Sequence, residues 1–182
     1  MPRSGTEARD RLREAALDLY EQHGYDATTA AEIAARAGLT ERTYFRHFAD
    51  KREVLFDGEE ELREVMVGAI RESPESSPLQ LVIAAYTAAV PLFVRGRRIA
   101  LRRAAIIAAT PALQERAHAK TAALGDAVVG ALVARRIPEP TARLATQVGT
   151  AAFQRASRDW YPHPERDLAA LLAQAADEVR AL

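Results

Sequence analysis

Apolar residues recur at helical spacing along almost the whole chain, and no run alternates with period two for long enough to predict a strand. The first predicted helix carries one apolar stripe, made of Leu12, Ala15, Ala16, Leu19 and Tyr20. Thr6 is its expected N-cap, and Gly24 is the expected residue just beyond its end. The pattern therefore predicts an all-α protein.

Caps and breakers divide the rest of the chain into further helices. A short second helix follows Thr29, with Glu32 completing a capping box, and Thr40 caps a third helix over 41–48. A fourth helix is expected to start with Asp50 as its cap, and the Pro- and Ser-rich stretch 73–78 is the best linker. Five more helices are predicted at about 78–94, 96–109, 111–134, 140–160 and 164–181, which makes about nine in all.

Composition excludes several classes of chemistry. The 182 residues contain no cysteine, so a disulfide framework, a thiol nucleophile and a thiolate metal site are absent. The four histidines are scattered, no His/Glu pair has metal-ligand spacing, and there is no Gly-rich phosphate loop. We therefore expect no catalytic residues, no metal site and no cofactor, which disfavours the alternative of an enzyme on a helical bundle.

Charge and hydropathy bear on location and partners. The N-terminus is charged rather than apolar, so no signal peptide is predicted. The stretch from Pro78 to Val94 is shorter than a membrane span needs and is predicted to be a buried helix. We expect a cytoplasmic protein without a membrane partner. The 25 basic and 25 acidic residues cancel, which leaves room only for a local basic face.

Residues 29–48 have the pattern of a helix-turn-helix. Gly38 can adopt the positive φ that the tight turn needs, and Ala34 and Ala35 keep the first helix thin enough for the second to cross it. Such a pair places its second helix in the major groove of DNA. Over residues 40–52 the basic residues expected to meet phosphates are Arg42, Arg46, His47, Lys51 and Arg52.

At this point the sequence resembles the tetracycline-repressor (TetR) family of bacterial transcription regulators. The resemblance covers about residues 7–56. Besides the helix-turn-helix itself, it includes Gly24-Tyr25-Asp26-Ala27-Thr28-Thr29, Ala37-Gly38-Leu39-Thr40, Arg42-Thr43-Tyr44-Phe45-Arg46-His47-Phe48 and Lys51 with Val54-Leu55-Phe56. A lone helix-turn-helix pattern would be weak, but these flanking segments agree in register.

The resemblance implies a homodimeric regulator that binds double-stranded operator DNA, commonly as a repressor. It implies a three-helix DNA-binding domain over 1–53 and a helical ligand-binding and dimerisation domain over 54–182. A small-molecule effector bound to the second domain would then control the separation of the two DNA-reading heads. A helical adaptor that has lost DNA binding is the other alternative, and the basic residues Arg42, Arg46 and Lys51 argue against it.

Position by position, the resemblance also implies roles in DNA binding. Thr29 and Lys51 resemble phosphate contacts. Base or phosphate contacts of the recognition helix are implied for Thr40, Arg42, Thr43 and Arg46, and a backbone contact for His47. Where many relatives carry a Tyr whose hydroxyl meets phosphate, this chain has Phe45. Structural alternatives are a helix cap for Thr29 and Thr40, a solvated face for Arg42 and Arg46, and a partly buried ring with satisfied hydrogen bonds for His47.

The second half of the chain predicts a dimer seam through the last two helices. Their apolar stripes are Leu144, Ala145, Val148, Gly149, Ala152 and Ala156, followed by Leu168, Leu171, Leu172, Ala175, Ala176, Val179 and Leu182. Small residues let helices approach closely, and with their symmetry mates the two helices would form a four-helix interface. The alternative is that these stripes close the core of the protomer itself.

Bulky residues in this Ala-rich half are the candidates for an effector pocket. They are Met66, Ile70, Tyr86, Phe93, Ile107, Phe153 and Trp160, and ordinary core packing is the alternative for each. Five arginines between Arg95 and Arg103 could hold an anion such as an acyl-coenzyme A head, because the stretch 100–116 loosely resembles members that sense fatty-acyl compounds. Salt bridges to Glu59, Glu60 or Glu61 are the alternative.

Overall fold

The computed structural model describes residues 3–181, and this part of the chain is α-helical without a strand. Its elements are α1 (Arg3–His23), α2 (Ala30–Arg36), α3 (Glu41–His47), a 3₁₀ helix (Glu53–Phe56), α4 (Glu59–Glu72), α5 (Pro78–Ala108), α6 (Pro111–Ala134), α7 (Glu139–Trp160) and α8 (Leu168–Arg180). The all-α prediction is confirmed, but the described residues form eight α-helices and one 3₁₀ helix whose bounds differ from those of the nine predicted helices.

Two predicted helix starts in the N-terminal part are wrong. Thr6 lies inside α1 rather than capping it, because the helix begins at Arg3. No long helix starts at Asp50: its carboxylate accepts from the backbone N–H groups of Arg52 and Glu53 and opens a 3₁₀ helix instead. Gly58 then takes a φ of +90°, a conformation that ends the 3₁₀ segment and separates it from α4.

The predicted break at Gly96 is also wrong. The two helices expected at 78–94 and 96–109 are one helix, α5, which contains both Pro91 and Gly96. A glycine in a helix interior costs only about 1 kcal/mol relative to alanine, so a long helix with tertiary contacts can include one. Thr87 donates from its hydroxyl to the carbonyl of Ile83 one turn ahead of Pro91. The start of the last helix shifts as well, because Asp167 caps α8 through the N–H of Ala169.

The structure divides into two compact units, of which the first comprises Met1–Glu59 and Arg98–His118. Its core is apolar and continuous. The largest fully buried side chains in it are Leu12, Leu17, Ile33, Tyr44, Val54 and Leu113. The end of α5 and the start of α6 therefore belong to the unit that contains the helix-turn-helix segment. The boundary predicted at residue 53 remains a prediction.

The second unit comprises Glu60–Arg97 and Ala119–Leu182. Met66, Ile70, Leu81, Leu132 and Leu172 are among its fully buried side chains. Helices α7 and α8 pack closely against each other, as their alanines allow. A Cβ added at Gly149 would lie 2.9 Å from Cβ of Val82, so α7 can approach α5 this closely only with glycine there.

The stripes predicted for the dimer seam mostly close the core of the protomer. Of the residues on α7, Ala145, Gly149, Ala152 and Ala156 are buried within the second unit, as are Leu168, Leu171, Leu172, Ala175 and Ala176 on α8. Val148 and Val179 are half-buried, and Leu182 lies outside the described residues. Only Leu144 is freely exposed, with 61% of its surface accessible. A dimer contact through these helices would use their outer faces.

Helix α5 is the one described helix that is long and apolar enough to cross a membrane by length and composition. That criterion is weak, because the core helices of soluble proteins also meet it. The segment predicted as a buried helix, 78–94, contributes Leu81, Val82, Ala85, Tyr86 and Ala89 to the core of the second unit. The sequence-based interpretation as a core helix is consistent with this packing.

Candidate DNA-binding surface and ligand cavity

Helices α2 and α3 are short, and each is capped by a threonine. Thr29 accepts from the N–H of Glu32, whose carboxylate accepts in turn from the Thr29 backbone N–H at 2.8 Å, so the predicted capping box is present. Thr40 accepts from the N–H of Thr43, and the two hydroxyls lie 3.0 Å apart. The helix caps predicted at both positions are therefore confirmed.

The turn between the two helices needs glycine because its backbone takes a positive φ. Gly38 has a φ of +65°, and the N–H of Leu39 donates to the carbonyl of Ala34 at 2.8 Å to close the turn. A Cβ at Gly38 would also lie 2.7 Å from Nη2 of Arg11, the guanidinium that donates to the carbonyl of Ala37. The turn thus has a fixed geometry, which sets the angle at which α3 leaves α2.

The inner face of α3 is anchored by aromatic side chains. Tyr44 is fully buried and donates from its hydroxyl to the carbonyl of Asp50, while Tyr20 on α1 donates to the carbonyl of Lys51 at 2.5 Å. Burial raises the pKa of both phenols, so both remain neutral donors. Phe48 packs beside Tyr44 with ring centroids 5.5 Å apart. Tyr44 and Phe48 are therefore core residues of the first unit.

The outer face of α3 presents two arginines and an aromatic ring to solvent. Arg42 and Arg46 are exposed one helical turn apart, and no carboxylate forms an ion pair with either in the described part of the chain. Phe45 lies between them with 51% of its surface exposed and its ring edge-on to Tyr44. This combination of uncompensated positive charge and an exposed ring suits the phosphates and base edges of a duplex.

Lys51 and Arg52 differ from these two arginines. The Lys51 ammonium donates to the carbonyls of Tyr25 and Thr28, at 2.9 and 3.1 Å, and lies 4.2 Å from the Tyr25 ring centroid. Arg52 is paired with Asp50 at 2.7 Å. The predicted phosphate contact of Lys51 remains a prediction, and the structure gives this lysine a further role, in holding the loop after α1.

His47 ends α3 and is half-buried. Its Nε2 is shielded from solvent and has no hydrogen-bond partner in the part of the chain that the structure describes. Burial lowers the pKa of the imidazole, and the positive charges of Arg46 and Arg9 lower it further. The alternative of a partly buried ring with satisfied hydrogen bonds is met only in part, because the ring is partly buried but Nε2 has no partner among the described residues, and the backbone contact to DNA remains a prediction.

Two families of known proteins match this chain. Residues 12–57 match the family described as "Bacterial regulatory proteins, tetR family", and residues 76–182 match the family described as "MftR C-terminal domain". The chain belongs to the TetR family of transcriptional regulators. Regulators of this family are DNA-binding proteins rather than enzymes, and homodimers and repressors are typical of it.

Individual relatives agree with this assignment. The HTH-type transcriptional regulator TcmR of Streptomyces glaucescens is 37% identical over 81 residues, which are 44% of this chain and 36% of TcmR. A transcriptional regulator from Aquifex aeolicus VF5 has the same fold, with a TM-score of 0.61, 16% identity and coverage of 96% of this chain and 98% of that one. FadR of Thermus thermophilus, a TetR-family repressor solved in complex with lauroyl-CoA, has a TM-score of 0.57, 22% identity and coverage of 92% and 90%.

The five arginines between Arg95 and Arg103 form ion pairs or hydrogen bonds within the protein. Arg102 is held by three carboxylates on one face of α1, Glu14 at 3.0 Å, Asp18 at 2.8 Å and Glu21 at 2.6 Å. These hydrogen bonds to Arg102 lower the pKa values of Asp18 and Glu21. Arg102 therefore forms salt bridges, but the predicted partners Glu59, Glu60 and Glu61 are wrong for this residue, because its carboxylates lie on α1 rather than on α4.

The remaining members of the run are partnered too. Arg98 also pairs with Glu14, whereas Arg95 pairs with Glu61 at 2.9 Å, as predicted. Arg97 and Arg103 donate to backbone carbonyls, those of Tyr161 and Leu55. The spacing of Glu14, Asp18 and Glu21 at i, i+4 and i+7 is the signal by which this network could have been found in the sequence.

A cavity of about 290 Å³ lies within the second unit, between α5, α6 and α7. Its lining consists of Val82, Tyr86, Thr121, Leu124, Gly125, Val128, Thr146, Gln147, Thr150, Ala151 and Gln154. The Tyr86 hydroxyl lies 3.0 Å from that of Thr150, and burial raises the pKa of this phenol, so it stays neutral. The cavity is at the small end of the usual range for ligand sites, which starts at about 300 Å³.

The predicted pocket residues divide into three groups. Tyr86 lines the cavity, and Phe153 stacks on it at 4.4 Å with Phe93 packed beyond, so these three are brought together. Met66, Ile70 and Trp160 are buried in the surrounding core without lining the cavity. The inclusion of Ile107 is wrong, because this residue packs in the core of the first unit. Sequence reasoning missed the polar lining, although Gln147, Thr150 and Gln154 share one helical face.

Proposed function

We propose that this chain is a ligand-responsive, sequence-specific regulator of transcription that binds operator DNA through α3 and is released from it by a small-molecule effector. Family membership supports the general role. The observation that carries the DNA-binding assignment is the exposed pair Arg42 and Arg46, which have no ion-pair partner among the described residues 3–181 and lie on a short helix that Gly38 and two threonine caps hold in place. Repression and a cytoplasmic location complete the proposal.

Individual contacts follow from this arrangement. Arg42 and Arg46 would read base edges or phosphates, and Thr29, Thr40 and Thr43 would add hydroxyl and backbone donors at the helix starts. Phe45 has no hydroxyl, so it would make an apolar contact in the groove. His47 and Lys51 would approach the phosphate backbone from the edge of the surface.

The dimer and the effector are further parts of the proposal. The second copy of the chain would pack on the outer faces of α7 and α8, where Leu144 is exposed. The effector would occupy the cavity near Tyr86, and a small apolar compound suits its walls. An acyl compound is a second candidate, since the fold neighbour from Thermus thermophilus holds lauroyl-CoA.

The test is fluorescence anisotropy with labelled DNA from upstream of the gene, compared with scrambled DNA over a series of salt concentrations. Specific binding with a steep negative salt slope is expected, because neutralised phosphates release counterions. Arg46→Ala should weaken operator binding by about 1–3 kcal/mol if Arg46 contacts a base. The matched control is Arg71→Ala, which removes an exposed arginine from α4 and should leave the affinity unchanged.

Equal losses in the two variants would show that Arg46 acts only through net charge. No binding to any duplex at low salt would favour the helical adaptor instead. A ligand that releases the protein from DNA must bind more weakly to the DNA complex by the same factor, because the coupling between two sites is reciprocal.

A further inference from the structure

Lys51 follows α3 in the chain, and its side chain reaches back to the loop that precedes α2. We propose that Lys51 is a positioning residue for operator binding: it fixes the start of α2 through the loop at residues 25–28 and makes no direct bond to a phosphate. This indirect role replaces the direct phosphate contact that the resemblance implies for Lys51. It rests on the proposed function, because it concerns how the helix-turn-helix is held for binding to DNA.

The Lys51 ammonium donates to three backbone carbonyls of this loop, those of Tyr25 at 2.9 Å, Thr28 at 3.1 Å and Asp26 at 3.4 Å. It also lies 4.2 Å from the centroid of the Tyr25 ring, which is within cation–π distance. A protonated lysine has three N–H donors. All three are therefore used within the protein, and a phosphate oxygen could bond the ammonium only after one of these bonds is broken.

The backbone of Lys51 is itself held by α1. Tyr20 is buried, and its hydroxyl donates to the Lys51 carbonyl at 2.5 Å. The Tyr20 ring packs against the Tyr25 ring with centroids 5.3 Å apart. Lys51 thus connects α1 to the loop through its backbone and its side chain together. Its ammonium is a fixed anchor for the loop rather than a mobile surface charge.

The loop leads directly into α2. The Thr28 side chain is buried, its hydroxyl donates to the Gly24 carbonyl at 2.8 Å, and its N–H donates to the Tyr25 carbonyl at 3.3 Å. Thr29 follows as the N-cap of α2. A helix of seven residues has little stability of its own, so its position depends on such tertiary bonds. Removing the ammonium would release the carbonyls on both sides of Asp26 and loosen the segment that places Thr29.

The experiment compares two variants of the full-length protein. Lys51→Met keeps a long unbranched side chain but has neither a donor nor a charge. Arg52→Met is the matched control, because it removes one positive charge from the next residue, whose guanidinium pairs with Asp50 rather than with the loop. Amide hydrogen exchange of the free protein reports on the loop, and fluorescence anisotropy over a series of salt concentrations reports on operator binding. Both are measured where circular dichroism shows each variant to be folded.

In Lys51→Met we expect exchange of the Thr28 and Thr29 amides to be about tenfold faster and operator affinity to be about tenfold weaker. The salt slope should change by much less than the value of about 0.9 that each lost phosphate contact contributes. Arg52→Met should leave the exchange of both amides unchanged and should keep the affinity within about threefold of the wild type. A purely structural role would speed exchange without weakening the binding of the folded protein.

A salt slope shallower by about 0.9 for each Lys51 removed would assign a direct phosphate contact to this lysine and overturn the inference. Unchanged exchange of the Thr28 and Thr29 amides would overturn it too, as would full operator affinity despite a loosened loop. These failures leave operator binding by the wild type intact. If the wild type binds no duplex even at low salt, the proposed function fails, and the role of Lys51 in DNA binding fails with it.

Discussion

Phe45 shows at the scale of a single residue how a substitution can change the way a surface reads DNA. Its ring is half exposed between Arg42 and Arg46, so it is available for an apolar contact beside two positive charges. A phenyl ring cannot bond phosphate, but it can pack on the C5 methyl group of thymine in the major groove. We therefore expect Phe45 to read a thymine.

Replacing single thymines of the operator by deoxyuridine removes only that methyl group. At the position that Phe45 contacts, the wild-type affinity should fall by about 0.8 kcal/mol, the value of one buried methylene-sized group. Phe45→Ala should bind the thymine and deoxyuridine operators equally well. Sensitivity to deoxyuridine that persists in Phe45→Ala would assign the methyl contact to another residue.

His47 predicts a pH dependence of stability. Burial disfavours the charged imidazole in the folded state, so its folded pKa lies below the ordinary value of about 6.5 that the unfolded chain has. The unfolded state then takes up the proton first as the pH falls. The contribution of His47 to stability is therefore complete above pH about 6.5 and is lost as the pH drops toward the folded pKa.

His47→Gln should consequently lose less stability than the wild type between pH 7.5 and 5.5. Urea unfolding at three pH values in this interval measures the difference directly. Parallel pH profiles for the two proteins would mean that the imidazole is solvated in both states.

These residues also show what the sequence could and could not predict about the surface. Arg42, Phe45 and Arg46 follow from the helical register, since the spacing that buries Tyr44 leaves them outside. The sequence predicted a phosphate contact for Lys51 but could not predict its three hydrogen bonds to backbone carbonyls, because these carbonyls lie in a loop 23 to 26 residues earlier in the chain. Helical register follows from neighbouring residues, whereas a hydrogen bond between residues far apart in the sequence depends on the tertiary fold.

At the scale of elements, Arg102 joins the end of α5 to α1 within the first unit. Its side chain is only 19% exposed and faces Glu14, Asp18 and Glu21 together. Removing the guanidinium would leave three carboxylates close to one another, with only Arg98 still paired to Glu14 and Arg36 to Asp18. This loss should exceed that of an ordinary surface ion pair, which contributes about 0–1 kcal/mol.

We expect Arg102→Gln to lower the free energy of unfolding by about 1–2 kcal/mol at low salt, and less at 0.5 M salt because the charges are screened. Arg95→Gln is the control: its single pair with Glu61 is well exposed, so it should cost less than about 0.5 kcal/mol. Urea unfolding followed by far-ultraviolet circular dichroism measures both variants. Equal stabilities would mean that solvent already compensates these charges.

Glycine accounts for one of the wrongly predicted helix boundaries and for a break that the sequence did not predict. Gly96 was expected to end a helix, yet tertiary packing of α5 outweighs the modest propensity penalty of glycine. Gly58 does end a segment, because its φ is positive. Glycine permits both conformations, so its presence alone could not distinguish them, whereas the threonine caps of α2 and α3 involve bonds within four residues and were predicted correctly.

At the scale of the whole molecule, the alanine-rich stripes of α7 and α8 illustrate an ambiguity of pattern. An apolar stripe indicates that a helix face is buried, but not whether the same chain or a second copy buries it. Here the stripes are buried by the protomer, and Leu144 is left outside with 61% of its surface exposed. A dimer of the proposed kind would give this leucine a partner.

Leu144→Glu therefore tests the dimer and its link to DNA binding together. In the proposed dimer the partner would cover Leu144, and burying a leucine contributes about 1.5–3 kcal/mol. Replacing it with glutamate should therefore raise the dimer dissociation constant at least tenfold. Val94→Glu is the matched control, because Val94 is 53% exposed and lies on α5. Sedimentation equilibrium should show the shift in the first variant only.

The consequence for DNA follows from symmetry. A twofold dimer binds a palindromic operator with two α3 helices about 34 Å apart, so the second half-site is bound as an intramolecular step. Leu144→Glu should lose affinity for the full palindrome yet keep the wild-type affinity for a single half-site, since the α3 surface is untouched. If Leu144→Glu remains dimeric, the dimer interface lies on another face. An equal loss of affinity for the palindrome and for the half-site would show that the substitution disturbs the fold rather than the pairing of the two α3 helices.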